Sequence, residues 1–381
     1  MTRARIYLDY AATTPVDPKV VEAMLPTFRE TFGNPSSSHA FGRDAQDLVM
    51  RARTQVADLV GAMPQDIVFT SGSTEAINIF LRGVYAEHTG HLVTSTAEHK
   101  AVLDTAKSLA DDGVDVTLLE PQKDGTHDVA SVVDALREDT KAVALMWGNN
   151  ETGALAPIEE LAKVCAERDI LCFTDATQAV GKIPIDIGTQ DIDALALSAH
   201  KLYGPKGAGA LIVRRRAQSK LRRVFTGGGQ EHGLRPGTTN VPGVVGLGEA
   251  CALAHASLQE ERARLQTMRD RLDTLLRVSL DGVYLNGSPE HHLPHILNVS
   301  FDAVPGEMLM TRLRDVATSV GSACNSMQPV ASHVMRAMRM APDRALGAFR
   351  VSVGRYTTDE ELAYAAQRII EEVRSLRKLN L

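Results

Sequence analysis

The strongest constraint on this 381-residue chain is an alternation that runs from about residue 44 to 255. Short apolar runs, rich in β-branched residues, are each followed by an amphipathic stretch with helical spacing. DIVFTS (66–71) predicts a strand, and TEAINIFLRGVYAEH after it a helix. HLVTST (91–96) and HKAVLDTAKSLADDG repeat the pair, as do DVTLLE (115–120) and VASVVDALRE (129–138). KAVALMWG (141–148) is followed by PIEELAKVCAERD (157–169), a helix opened by Pro157; ILCFTDA (170–176), DALALSAH (193–200) and GALIVRR (209–215) predict further strands. The alternation predicts an α/β domain around a mostly parallel sheet. Ligands of such sheets bind beyond the carboxyl ends of the strands, and the polar clusters of this sequence fall at those ends.

After about residue 255 the texture changes. A charged helix (258–279), ILNVSF (296–301), a Gly/Ser loop around Cys324, a helix near 331–340, FRVSVGR (349–355) and a last helix from TTDEEL predict a smaller α+β domain. YLDYAATTP, before the first long helix, could join either domain. Composition excludes several classes. The net charge of −6 lacks the basic footprint of a nucleic-acid binder. No apolar run approaches the roughly 18 residues of a membrane span. Asp9 interrupts what would be a signal peptide's apolar region, so the expected location is the cytoplasm. The four cysteines, at 165, 172, 251 and 324, form no CxxC pair, which argues against a disulfide scaffold or a cysteine-pair zinc site. HHLPH (291–295) has no accompanying ligand set, so no metal is expected.

SAHKLYGPKG (198–207) is the strongest local signal. Lys201 follows a predicted strand, and a lysine there can form a Schiff base if burial lowers its pKa. Ser198 and His200 are placed to hold a phosphate. In TDATQAVGK (174–182), Asp175 ends a strand, where a carboxylate can hold a pyridinium nitrogen protonated; Gln178 could donate to a ring oxygen. In SGSTEA (71–76), Gly72, Ser73 and Thr74 open a helix and offer a phosphate site. His99 could stack on an aromatic ring, and Asn149 and Asn150 end another strand. Cys324, in SVGSACNS (319–326), stands in small polar residues that read as a mobile exposed loop, unlike the apolar surroundings of the other three cysteines. Arg350 alternates with apolar residues on a predicted strand and suits a carboxylate clamp. Each of these alone has a plain reading as a turn, cap or surface residue.

Together they resemble the cysteine desulfurases of the NifS/IscS type, within the fold-type I enzymes that use pyridoxal 5′-phosphate (PLP), the class V aminotransferase group. The motifs that carry the resemblance span the chain: YLDYAATTP, GNPSSSH, FTSGSTEA, EHKAV, NNETG, TDATQAVGK, SAHKLYGPKG, RPGTTNVP (235–242), LNVSF, SVGSACNS and FRVSVGR. It implies that Lys201 carries PLP and later moves the Cα proton, that Asp175 and Gln178 contact the ring, and that His99 stacks on it. Ser73, Thr74, Ser198 and His200 would hold the phosphate, and Thr238 would reach the phosphate of a second subunit in a homodimer with shared sites. Asn34, Asn150 and Arg350 would bind the substrate. Cys324 would take sulfur from L-cysteine as a persulfide, release L-alanine and pass the sulfur to a protein acceptor serving iron–sulfur assembly, tRNA thiolation or DNA phosphorothioation. The family fold implies a large domain at 16–255 and a small one from 1–15 with 256–381. After Cys324 the loop reads NSMQPVASHV, with Pro329 earlier than in the family pattern. A PLP aminotransferase or lyase without persulfide chemistry, a selenocysteine-specific lyase and a non-catalytic scaffold are the competing readings.

Overall fold

The protein is described from a computed structural model, which covers residues 5–320 and 331–379. Its strands, in chain order, are β1 (Ile6–Tyr7), β2 (Ile67–Thr70), β3 (His91–Ser95), β4 (Asp115–Leu119), β5 (Thr140–Ala144), β6 (Leu171–Asp175), β7 (Ala194–Ser198), β8 (Gly209–Val213), β9 (Val283–Leu285), β10 (Ile296–Phe301), β11 (Val316–Ala317) and β12 (Phe349–Ser352). Seven of them form one sheet in the order β2-β8-β7-β6-β5-β3-β4. Strand β8 runs antiparallel to both neighbours; every other adjacent pair is parallel. The carboxyl ends of β2, β3, β5, β6 and β7 therefore share one edge of the sheet.

Both faces of this sheet are covered, which explains why its strands read as near-continuous apolar runs. Side chains alternate between faces along a strand. Cys172, Leu195 and Ile212 enter one core with the helices Ala40–Val60, Ile158–Glu167 and the start of Val241–Ser279. Leu171, Phe173, Ala194 and Leu211 enter the other with the helices Ser73–Val84 and Lys100–Asp111. Phe80 stacks on Phe173 across that second interface, with ring centroids 4.6 Å apart.

A second sheet, β12-β10-β9, is antiparallel. Its core is shared with the helices Val241–Ser279 and Asp359–Leu379. The N-terminal strand lies with it: β1 pairs in parallel with β11, and the Ser352 amide donates to the Leu8 carbonyl at 2.8 Å. The helix Val241–Ser279 runs unbroken for 39 residues, so residue 255, where the sequence texture changes, lies inside it. Leu247, Ala250, Cys251 and Ala254 belong to the first core, and Leu265, Met268, Leu272 and Leu276 to the second. This helix also corrects the expectation that no apolar run nears membrane-span length. One 18-residue window of it has a mean hydropathy of 1.3, but its apolar side chains fill the core.

Predicted element ends shift by a residue or two, for local reasons. GALIVRR stops as a strand at Val213 because Arg215–Gln218 turns into a short helix. The helix predicted at 129–138 stops at Ala135, where Leu136 is already extended.

Candidate active site

At the shared carboxyl edge of the large sheet lies a cavity of about 410 Å³. Ser73, Thr74, His99, Asn150, Asp175, Gln178, His200, Lys201 and Arg350, nine of the expected residues, line it. Three of these, Asp175, His200 and Lys201, follow from strand ends, and Ser198 stands beside them. Asp175 is the last residue of β6, Ser198 the last of β7, and His200 and Lys201 lie in the 3-10 turn after it. Ser73 and Thr74 begin the helix that follows β2.

Lys201 is half-buried. Burial, and then the nearby Arg350 guanidinium, bring its ammonium from 10.5 down to about 8, against the opposite pull of Asp9 and Asp175. Its Nζ donates to the carbonyls of Ala11 and Ala12 at 2.6 and 2.7 Å. Asp175 is 5% exposed. Its Oδ1 accepts from the Thr177 amide at 3.0 Å and from the Thr177 hydroxyl at 2.5 Å. Those bonds fix the carboxylate and leave Oδ2 without a hydrogen bond among the described residues. Gln178 donates from Nε2 to the Ala11 carbonyl at 2.8 Å, so one of its two amide hydrogens goes to the backbone.

His99 caps the helix Lys100–Asp111, with Nδ1 accepting from the Ala101 amide at 3.1 Å. A backbone amide can only donate, so Nδ1 carries no proton. Burial also lowers the ring's pKa, and the imidazole stands neutral on the cavity wall. His200 is held by Nδ1 to the Thr13 hydroxyl at 3.1 Å; burial, then Lys201 and Lys206, bring it to about 4.

The turn before Ser73 is tightly packed. A Cβ on Gly209 would stand 2.6 Å from the Gly72 Cα, and one on Gly72 would stand 3.6 Å from the Ser198 Oγ. Close approach of β8 thus sets the helix N-terminus beside Ser198. Amine, fixed carboxylate, neutral imidazole and a helix N-terminus with hydroxyls form the donor set that suits a phosphorylated pyridine aldehyde.

Arg350 is 5% exposed at its side chain and pairs with Asp9, NH2 to Oδ1, at 2.7 Å. Its NH1 donates to the Asn150 carbonyl, also at 2.7 Å. Asn149 plays a different part: its Oδ1 accepts from the amides of Glu151 and Thr152, which shapes the turn.

Two expected residues stand elsewhere. Asn34 is exposed, with Oδ1 accepting from the Ser36 amide. Thr238 is exposed and does not line the cavity. Cys324 lies outside the described residues. The other three cysteines are buried; a hydrogen bond with Cys165 and burial push Cys172 up, and burial pushes Cys251 up. Neither is a thiolate candidate. In HHLPH, His292 faces Arg269 and Gln266 instead of a ligand set, and no metal-like group of three or more His, Cys, Asp or Glu occurs among the described residues.

Sequence reasoning missed Asp9, Thr13, Thr177 and Glu98. Glu98 is 2% exposed, and burial raises its carboxyl well above the usual range. Its Oε1 accepts from the Met146 amide at 2.6 Å, fixing a residue of the cavity wall. A charge between Leu8 and Tyr10 was the available signal for Asp9; Glu98, between Ala97 and His99, carried none.

Residues 6–364 match the class-V aminotransferase family. The cysteine desulfurase IscS of Anaeromyxobacter dehalogenans (strain 2CP-C) is 48% identical over 379 residues, covering 98% of this chain and 94% of that protein. Among solved structures, a NifS-like protein superposes with a TM-score of 0.90 at 35% identity, covering 97% of this chain and 99% of that one. SspA, solved in complex with cysteine, gives 0.82 at 37% identity, with 93% and 100% covered. Full-length similarity of this degree, together with the cavity at the strand ends, places the chain in the class-V aminotransferase family, among its NifS/IscS-type cysteine desulfurases.

Proposed function

We propose that the cavity binds PLP through Lys201 and that Cys324 receives the sulfur of L-cysteine. The observation that carries this reading is the cavity at the strand ends that brings Lys201, Asp175 and Arg350 together, with burial lowering the Lys201 amine to about 8. When bound, PLP supplies an aldehyde that joins amines and a ring that takes up electrons released at the substrate Cα.

The chain's own residues do the rest. Asp175, fixed by Thr177, holds a proton at the ring nitrogen. His99 would stack its neutral ring on the cofactor, and Gln178 would offer its remaining amide hydrogen to the ring oxygen. Ser73, Thr74, Ser198 and His200 hold the phosphate; Thr238 of a second copy completes it, which makes the enzyme a homodimer. Arg350 and Asn150 bind the substrate carboxylate, with Asn34 on the substrate side. Lys201 Nζ moves the Cα proton. The Cys324 thiolate attacks the substrate sulfur. An S–S bond forms, the C–S electron pair stays on carbon, and protonation there gives L-alanine. The persulfide sulfur then passes to a protein acceptor. Residues 16–255 form the cofactor domain, and 1–15 with 256–381 the domain that carries Cys324; the enzyme works in the cytoplasm.

The test is the sulfur itself. With L-cysteine and no reductant, the peptide holding Cys324 should gain the mass of one sulfur. Cys324→Ser should still bind L-cysteine but release no sulfide. Wild-type sulfide release from that variant would exclude the persulfide route, and full amino-group transfer would favour an aminotransferase.

A further inference from the structure

Arg350 has five N–H donors, and two are committed: one on NH2 to Asp9 and one on NH1 to the Asn150 carbonyl. Its Nε is buried and has no hydrogen-bond partner among the described residues. The backbone holds both partners in register. Asp9 bridges to Ser352, two residues along β12 from Arg350. On the other side, the Arg350 amide and carbonyl exchange hydrogen bonds with Ser319 at 2.7 and 3.1 Å. The guanidinium is thus aimed by Asp9 and cannot move far from it. A carboxylate docking bidentately needs two neighbouring N–H groups. One hydrogen on each of NH1 and NH2 remains for it, and wherever it docks on them it meets a carboxylate already on the same guanidinium. Like charges brought together in a secluded site oppose binding.

We propose that Asp9 sets the affinity of the substrate site: it positions Arg350 and competes with the substrate carboxylate for it, keeping binding weak enough for the product to leave. This rests on the assignment of Arg350 to the substrate carboxylate. Asp9 is a positioning residue and takes no part in bond making.

Asp9→Asn keeps an oxygen facing NH2 and removes the charge. In the holoenzyme, KM for L-cysteine and the dissociation constant of L-alanine, measured by calorimetry, should both fall roughly tenfold, with no rise in kcat. Asp9→Ala removes the charge and the aiming contact together and should still lower the L-alanine constant, by less than Asp9→Asn, which covers a failure of the first variant to fold. In an Arg350→Ala background, Asp9→Asn should have no effect on L-alanine binding. If Arg350→Ala weakens L-alanine binding but neither Asp9 variant strengthens it, the competition is overturned and Arg350 keeps its role. If Arg350→Ala leaves binding unchanged, both assignments fall.

Discussion

Lys201 offers a prediction whose size follows from its surroundings. With a pKa of about 8, roughly a quarter of the amine is neutral at pH 7.5, against about one part in a thousand for an exposed lysine. Only the neutral amine attacks an aldehyde. Uptake of PLP by cofactor-stripped protein should therefore quicken about tenfold per pH unit below 8 and level off above it. Stopped-flow absorbance follows the uptake; borohydride reduction and peptide mass locate it at residue 201. Arg350 is the largest charge holding the amine down, so Arg350→Met should move the midpoint upward. The same shift has a stability cost. The folded pKa lies below the unfolded one, so the unfolded chain binds more protons between pH 8 and 10.5. Stability of the stripped protein should rise with pH across that window. Below it the full cost, on the order of 3 kcal/mol at most, is present, and Lys201→Met should recover much of it at pH 7. A midpoint near 10, a midpoint that ignores Arg350→Met, or attachment at Lys206 would refute the reasoning.

Two further outcomes test other parts of the site. Asp175→Asn should retain PLP, judged by visible absorption, yet lose most of its turnover, because an amide cannot hold the ring nitrogen's proton; near-normal turnover would remove Asp175 from the mechanism. Glu231 is 7% exposed at its side chain and pairs with Arg53 at 2.7 Å, while also accepting from the Phe69 amide. Glu231→Ala should cost about 3–5 kcal/mol in chemical denaturation, since it strands a buried guanidinium; a loss below about 1 kcal/mol would show that water reaches Arg53.

The large sheet was legible because its strands are buried on both faces and end abruptly in polar clusters, so that the period and the punctuation agree. Asp175, Ser198 and Lys201 are positioned by those strand ends alone, and local sequence suffices to find them. Asp9 is different. Its partner Arg350 lies 341 residues away, and nothing within YLDYAATTP announces an ion pair; the sequence showed only a charge that breaks an apolar run. Gln178 was expected to face a ring oxygen; its Nε2 also gives one hydrogen to the Ala11 carbonyl, a contact that depends on where the N-terminal segment lies. The long helix misled for a related reason. Its composition turns from Gly/Ala-rich to charged near residue 258 as its surroundings change from one core to the other, although the backbone does not change course.

The N-terminal segment that touches Lys201, Gln178, His200 and Arg350 is made first and used last. Its neighbours on β11 and β12 emerge from the ribosome more than 300 residues later, a delay of roughly 20–70 s at ordinary rates of synthesis. The seven-stranded sheet can form in that interval from segments much nearer one another. Residues 8–13 must then stay accessible until the end of the chain arrives, and closing so long a loop is slow compared with pairing adjacent strands. A nascent chain therefore shows its lysine and carboxylate edge for roughly 7–30 s before Arg350 is made. The cavity is complete only when β12, which carries Arg350, has been translated.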